Sequence, residues 1–163
     1  MPFKRVPRLR EFEYRGGYRY FLTFCTASRR ALFIAPGPVQ LAMSELIRTA
    51  GDFQFAVIAY CYMPDHLHLL VEGVSPASSL TEFVRVFKQR SAYHWRRTMN
   101  GDLWQRSYFE HVLRDDEDTI AVARYILGNP LRAGLVERIE NYPFAGSLTL
   151  SMKDLLYSVG TST

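Results

Sequence analysis

The sequence predicts an α+β domain in which an antiparallel sheet carries helices on one face. Three observations lead there. Segments that alternate in polarity as strands do recur at four places, and two segments with helical stripes separate them in the order β-α-β-β-α-β. The middle two strands are joined by a bare Pro64-Asp65, where proline presets the first central turn position and Asp tolerates the second. Such an order corresponds to the split βαβ, ferredoxin-like arrangement.

Each element has its own warrant. Tyr18 to Thr26 (YRYFLTFCT) mixes aromatic, apolar and polar residues in strand fashion, and Pro36 to Ala50 repeats apolar residues at helical spacing through Val39, Leu41, Ala42, Leu46 and Ile47. Phe53 to Tyr62 reads as the second strand and His66 to Glu72 as the third, antiparallel to it. Ser78-Ser79 caps a long helix reaching about Met99, with Glu82 three residues after Ser79 and a stripe of Leu80, Phe83, Val84, Phe87 and Trp95. Tyr108 to Arg114 is the fourth strand. Asp115 to Asp118 supplies an N-cap and an acidic first turn to a helix ending near Gly128, ahead of Pro130. Phe144 to Leu150 is expected to add one more strand, followed by a short helix. Residues 1–17 form a basic arm, 18–150 the domain and 151–163 a tail.

Composition narrows the function classes. A chain of 163 residues that is 48% hydrophobic and 22% charged supports one domain with a sizeable core and excludes disorder as the main state. A net charge of +4 permits a polyanionic partner without requiring one. Cys25 and Cys61 form no CxxC and sit in apolar runs, as small buried hydrophobes do in a reducing compartment. The basic start MPFKRVPRLR runs into EFEYRGG, unlike a secretory leader, and no segment approaches membrane-spanning length. A cytoplasmic location with no membrane partner is expected.

The stretch YMPDHLHLLV holds the first chemical signal. Alternation puts His66 and His68 on one face of a strand, with Leu67, Leu69 and Val71 on the other, suited to a helix-covered core. A lone histidine at a strand edge is ordinarily a satisfied polar residue. Two at successive same-face positions after a tight turn favour a shared ion. A useful site needs a third ligand, and neither cysteine lies in a ligand-like cluster, so a carboxylate or an amide is expected.

The second signal is DDEDTIAVARYILGNPLRAGLV. On a helical wheel Ile120, Ala123, Ile126 and Leu127 form an apolar arc, Tyr125 falls on its far side, and Asn129 follows one turn later. Alone, the segment reads as a tyrosine packing on a second surface with Asn129 closing the helix before proline. Beside a cation site it acquires another meaning. A phenol is a weak nucleophile with an ordinary pKa of about 10, and a divalent cation that polarises a phosphodiester makes its attack feasible. The aryl ester so formed keeps the phosphodiester energy, a chemistry for cutting and rejoining DNA.

These residues resemble a known family. Met63 to Val71 (MPDHLHLLV) is similar to the His-hydrophobic-His motif of the HUH superfamily. Tyr20 to Phe33 (YFLTFCTASRRALF), Leu103 to Asp118 (LWQRSYFEHVLRDDED) and Tyr125 to Val136 (YILGNPLRAGLV) resemble REP-associated tyrosine transposases, over roughly residues 14 to 146. The resemblance implies a single-stranded DNA endonuclease and strand transferase that uses Mg²⁺ or Mn²⁺ and acts on REP-like hairpins. It implies His66 and His68 as metal ligands and Tyr125 as the nucleophile that forms a 5′-phosphotyrosyl link. It also implies Asn129 as the third ligand, where related insertion-sequence enzymes carry glutamine. Monomer and homodimer both remain open, since some relatives share active sites between subunits.

A single-stranded or hairpin DNA partner needs positive charge and stacking surfaces. Lys4, Arg5, Arg8 and Arg10 in the arm, Arg85, Lys88 and Arg96 on the long helix, and Arg106 are the candidates, although cations on a solvated helix face are also ordinary. Trp104 and Tyr108 suit either bases or core. The competing function is a module of the same fold that holds DNA or RNA hairpins without cutting them.

Overall fold

The computed structural model describes residues 12–115 and 117–157, so the arm candidates Lys4, Arg5, Arg8 and Arg10 lie outside the described residues. Within that span run β1 (Arg19–Cys25), α1 (Pro36–Phe53), β2 (Phe55–Met63), β3 (His66–Gly73), α2 (Leu80–Thr98), β4 (Phe109–Val112), α3 (Thr119–Leu127), α4 (Asn129–Arg132), β5 (Ala145–Gly146) and α5 (Met152–Tyr157). The strands form one antiparallel sheet in the order β4-β1-β3-β2-β5. Its first four members have the expected ferredoxin-like order.

Alternation along the strands divides the core in two. Tyr20, Leu22 and Phe24 of β1 and Leu67, Leu69 and Val71 of β3 meet Ala42 and Leu46 of α1 and Phe83 and Phe87 of α2. The intervening residues Phe21 and Leu70 meet Val122, Ala123, Ile126 and Leu127 of α3 on the other face. Sequence periodicity puts the helices on one face. The structure keeps α1 and α2 there and adds α3 to the second, because β1 and β3 carry large apolar residues on both sides and both must leave water.

A bulge in β2 contributes to this division. The β2–β3 register shifts between Val57 and Ala59. Before it Phe55 and Val57 face α1 and α2; after it Ala59, Cys61 and Met63 face α3. One extra residue exchanges the faces of everything beyond it.

Element ends follow local chemistry. The α1 helix runs past Gly51 and stops at Gln54, whose left-handed backbone (φ 57°) receives the closing turn. Of the expected strand Phe144 to Leu150, the part that pairs as a strand is Ala145–Gly146. The Leu148 N–H still donates to the Val57 carbonyl of β2, but the Ser147 hydroxyl accepts from the backbone N–H groups of Thr149 and Leu150 and turns the chain out of regular pairing. Ser79 caps α2 as expected.

Asp118 caps α3, its carboxylate accepting from the Ile120 N–H at 2.8 Å. Arg19 of β1 donates to the Thr119 hydroxyl beside it. Asp118→Ala should therefore lower thermal stability by about 1 kcal/mol, the usual cost of a lost N-cap. Thermal unfolding of the variant checks this, and an unchanged midpoint counts against the cap.

Candidate functional site

His66 and His68 open β3 on the face that α3 covers, beyond Leu70. Their side chains are 15% and 3% exposed respectively. The two Nε2 atoms stand 3.1 Å apart, and the ring centroids 4.6 Å. Burial lowers the pKa of both imidazoles. For His68 it falls to about 3, with the His66 and Arg132 charges adding to the effect of burial. Burial thus favours the neutral form of each ring, the form that binds a cation.

The far nitrogens have partners. Asp65, the last residue of the hairpin turn, accepts from His66 Nδ1 at 2.7 Å. A carboxylate only accepts, so the His66 proton sits on Nδ1 and Nε2 offers its lone pair. Thr23, paired with His68 across β1 and β3, contacts His68 Nδ1 at 2.8 Å. A hydroxyl donates or accepts, so Thr23 serves either His68 tautomer. Arg29 holds the Asp65 carboxylate at 3.0 Å and reaches the Cys25 sulfur at 2.7 Å. Ser28 and Arg29 both have left-handed backbones, at φ 55° and 54°, uncommon for residues with a Cβ.

From the helix side, Asn129 brings Nδ2 to 3.4 Å from His66 Nε2. Rotation of that amide exchanges Nδ2 for Oδ1, an oxygen donor suited to a divalent cation. Two imidazole nitrogens and one amide oxygen fit such an ion and leave positions open for a phosphate oxygen or water. Among the described residues no group of three His, Cys, Asp or Glu side chains could hold a metal.

Tyr125 lies beside these groups. Its ring centroid is 6.3 Å from that of His68 and 6.1 Å from Phe21, with the Phe21 contact edge-on. The wheel puts Tyr125 opposite the apolar arc, but Val122 is buried and Ile120 only half so. That rotates α3's buried face and brings Tyr125 to its flank. Arg132 stands over the ring, its guanidinium carbon 4.2 Å from the ring centroid.

The basic candidates of α2 lie across the sheet from the histidines, on the α1–α2 side. Arg85 is exposed and paired with Glu82, and Arg96 is exposed and paired with Asp102. The Lys88 ammonium donates to the Gln105 and Arg106 carbonyls at 2.8 Å each, and burial lowers its pKa. Arg106 is exposed on the same loop. Trp104 belongs to the core, with Nε1 donating to the Ser91 hydroxyl at 2.8 Å. Of the residues around the histidines, Thr23, Arg29, Asp65 and Arg132 are not singled out by sequence reasoning. Asp65 is legible there only as a turn former, and Thr23 only as a polar break in an aromatic strand.

A family model described as "Transposase IS200 like" matches residues 15–129. The REP-associated tyrosine transposase of Escherichia coli K12 is 26% identical over 140 residues, covering 83% of this chain and 79% of that protein. The ISDra2 transposase TnpA of Deinococcus radiodurans is 29% identical over 117 residues, covering 66% of this chain and 80% of that one. Among solved structures, a REP-associated tyrosine transposase bound to a REP hairpin superposes with a TM-score of 0.71 at 21% identity, covering 86% of this chain and 82% of that chain. That likeness is one of fold.

Proposed function

The chain belongs to the IS200-like transposase family, and from that membership we propose that it cuts and rejoins hairpin-forming, single-stranded DNA through a tyrosine ester. One observation carries the reading. Within a single copy of the chain, two imidazole nitrogens converge to 3.1 Å and the Tyr125 ring stands 6.3 Å from His68.

The proposed step is a transesterification. The Tyr125 oxygen attacks phosphorus, an O–P bond forms, and the P–O3′ bond breaks. The phenol loses its proton and the departing 3′-oxygen gains one. One ester replaces another, so a 3′-hydroxyl can reverse the step and rejoin a strand. His66, His68 and Asn129 are the proposed holders of Mg²⁺ or Mn²⁺, with nitrogen donors favouring Mn²⁺. The chemistry supplied by the bound ion is polarisation of the phosphodiester. Asp65 and Thr23 orient the imidazoles so that both Nε2 atoms face one point.

Hairpin DNA is proposed as the partner because the E. coli relative carries REP in its name and the solved neighbour is described with a REP hairpin. A cavity of about 650 Å³ lined by Lys88, Gln89, Arg96, Trp104 and Arg106 opens beside α2. The loop that borders it hydrogen-bonds the Cys25 and Ala27 backbone, and Cys25 pairs with His66 across the sheet. A strand running over that end of the sheet would meet Arg106 and Arg96 before the histidines. Surface pairs such as Arg96–Asp102 contribute little, so those guanidiniums can exchange partners for phosphate. Lys4, Arg5, Arg8 and Arg10 are proposed to add contacts from the arm. A single copy supplies all four proposed groups, which favours a monomer as the active unit. Among the described residues no helix is long and apolar enough to cross a membrane.

The test is to incubate the chain with Mn²⁺ and palindromic oligonucleotides carrying single-stranded flanks. A denaturant-resistant protein–DNA adduct mapping to Tyr125 is expected. Hairpin binding with no nicking on any substrate indicates the non-cutting module instead. Free 5′-phosphate with no adduct indicates hydrolysis by activated water.

A further inference from the structure

We propose that Arg132 is the positioning residue for Tyr125, clamping the phenol in place for attack; this rests on the function proposed above. Its guanidinium carbon lies 4.2 Å from the Tyr125 ring centroid, and Nη2 donates to the Tyr125 carbonyl oxygen at 2.5 Å. One cation thus engages both the ring and the backbone of the same residue. Phe21 meets that ring edge-on, at 6.1 Å between centroids and 83° between planes. Together these contacts restrict the rotamers of a half-buried tyrosine at the flank of a nine-residue helix.

The chain is shaped to bring Arg132 there. Residues 125 and 132 are seven apart, about two helical turns, too far for side chains on one straight helix to stack. The α3 helix ends at Leu127, and α4 starts at Asn129 with Pro130 in its first turn. The chain is redirected at that junction, and Arg132 reaches back. Gly128 leaves the passage open: a Cβ there would lie 2.9 Å from Arg132 Nη1. Gly128 has φ −79°, which any residue adopts, so its lack of a side chain serves space and not backbone freedom. The same break aims Asn129 at His66. One local turn therefore sets both the amide and the clamp.

A nucleophile held in line gains rate without gaining substrate affinity. Arg132→Ala should lower the single-turnover rate of adduct formation by roughly tenfold to a hundredfold, the scale of a small misplacement. Hairpin dissociation constant and thermal midpoint should stay near those of the native chain. Gly128→Ala, whose Cβ would crowd both Arg132 Nη1 and the Arg124 carbonyl, should lower the rate in the same direction by displacing the guanidinium. Added methylguanidinium should restore part of the Arg132→Ala rate, and methylammonium should restore less, since only the planar ion can stack and donate together. An Arg132→Ala rate within twofold of native overturns the proposal. So does a loss of rate matched by equal losses in affinity and thermal stability, with no rescue. If the native chain forms no adduct at all, the proposed function falls and this inference with it. If the native chain forms adduct and Arg132→Ala forms it equally fast, this inference alone falls.

Discussion

Tyr125→Phe should abolish the covalent protein–DNA adduct while leaving hairpin binding intact. The substitution removes the hydroxyl and keeps the ring. The ring keeps its contacts with Phe21, His68 and Arg132, none of which uses the hydroxyl. Fold and DNA affinity are accordingly expected to change little. The rate of adduct formation should fall by at least ~10⁴-fold, in the range found when an enzyme loses its nucleophile. Denaturing electrophoresis of a labelled hairpin, alongside a binding assay on the same samples, measures both quantities. An adduct that persists removes Tyr125 from the role. Continued nicking that yields free 5′-phosphate would instead assign the attack to water.

His68→Ala should abolish Mn²⁺ binding, and activity with it. His68 is the more buried of the pair, 3% exposed, and its Nε2 faces that of His66 at 3.1 Å. Removing it leaves one imidazole and one amide, too few donors to hold a divalent ion against water. Asp65→Asn should give an intermediate result. The amide keeps the size of the carboxylate but loses its charge and its acceptor-only character, so the His66 Nδ1 proton is held less firmly. Outer partners of metal-bound histidines typically contribute ~10–100-fold in affinity, and a tenfold weakening is expected here. Titration with Mn²⁺ followed by electron paramagnetic resonance reads binding directly, without DNA. Native-like binding by His68→Ala would exclude the pair as the cation site. Equal, complete losses in both variants would point to collapse of the site, and a thermal melt separates that case.

How much of this was legible beforehand varies with the range of the interaction. The histidine pair and its apolar opposite face follow from the two-residue period of a strand. The hairpin turn at Pro64-Asp65, the Ser79 cap and the Asp118 cap follow from residues within a few positions of each other. Tyr125 and Asn129 stand out only beside the histidines or through the family resemblance. The apolar arc of α3 keeps Ala123, Ile126 and Leu127 buried as expected, but Val122 replaces the half-buried Ile120 at its edge. The extra β2 residue that exchanges faces has no local signature in a run of apolar residues. The Ser147 turn that shortens the last strand is local, but it competes with a strand pattern of similar strength.

The order of elements, the same-face histidines and the helix starts were determined by the sequence alone, because each depends on neighbours in the chain. Only the tertiary structure decided that α3 covers the second face of the sheet, that Thr23 stands across from His68, and that Arg132 folds back over Tyr125. Those outcomes depend on strand register and on which apolar surfaces exclude water together. Both are settled between residues tens of positions apart, where no periodicity reaches.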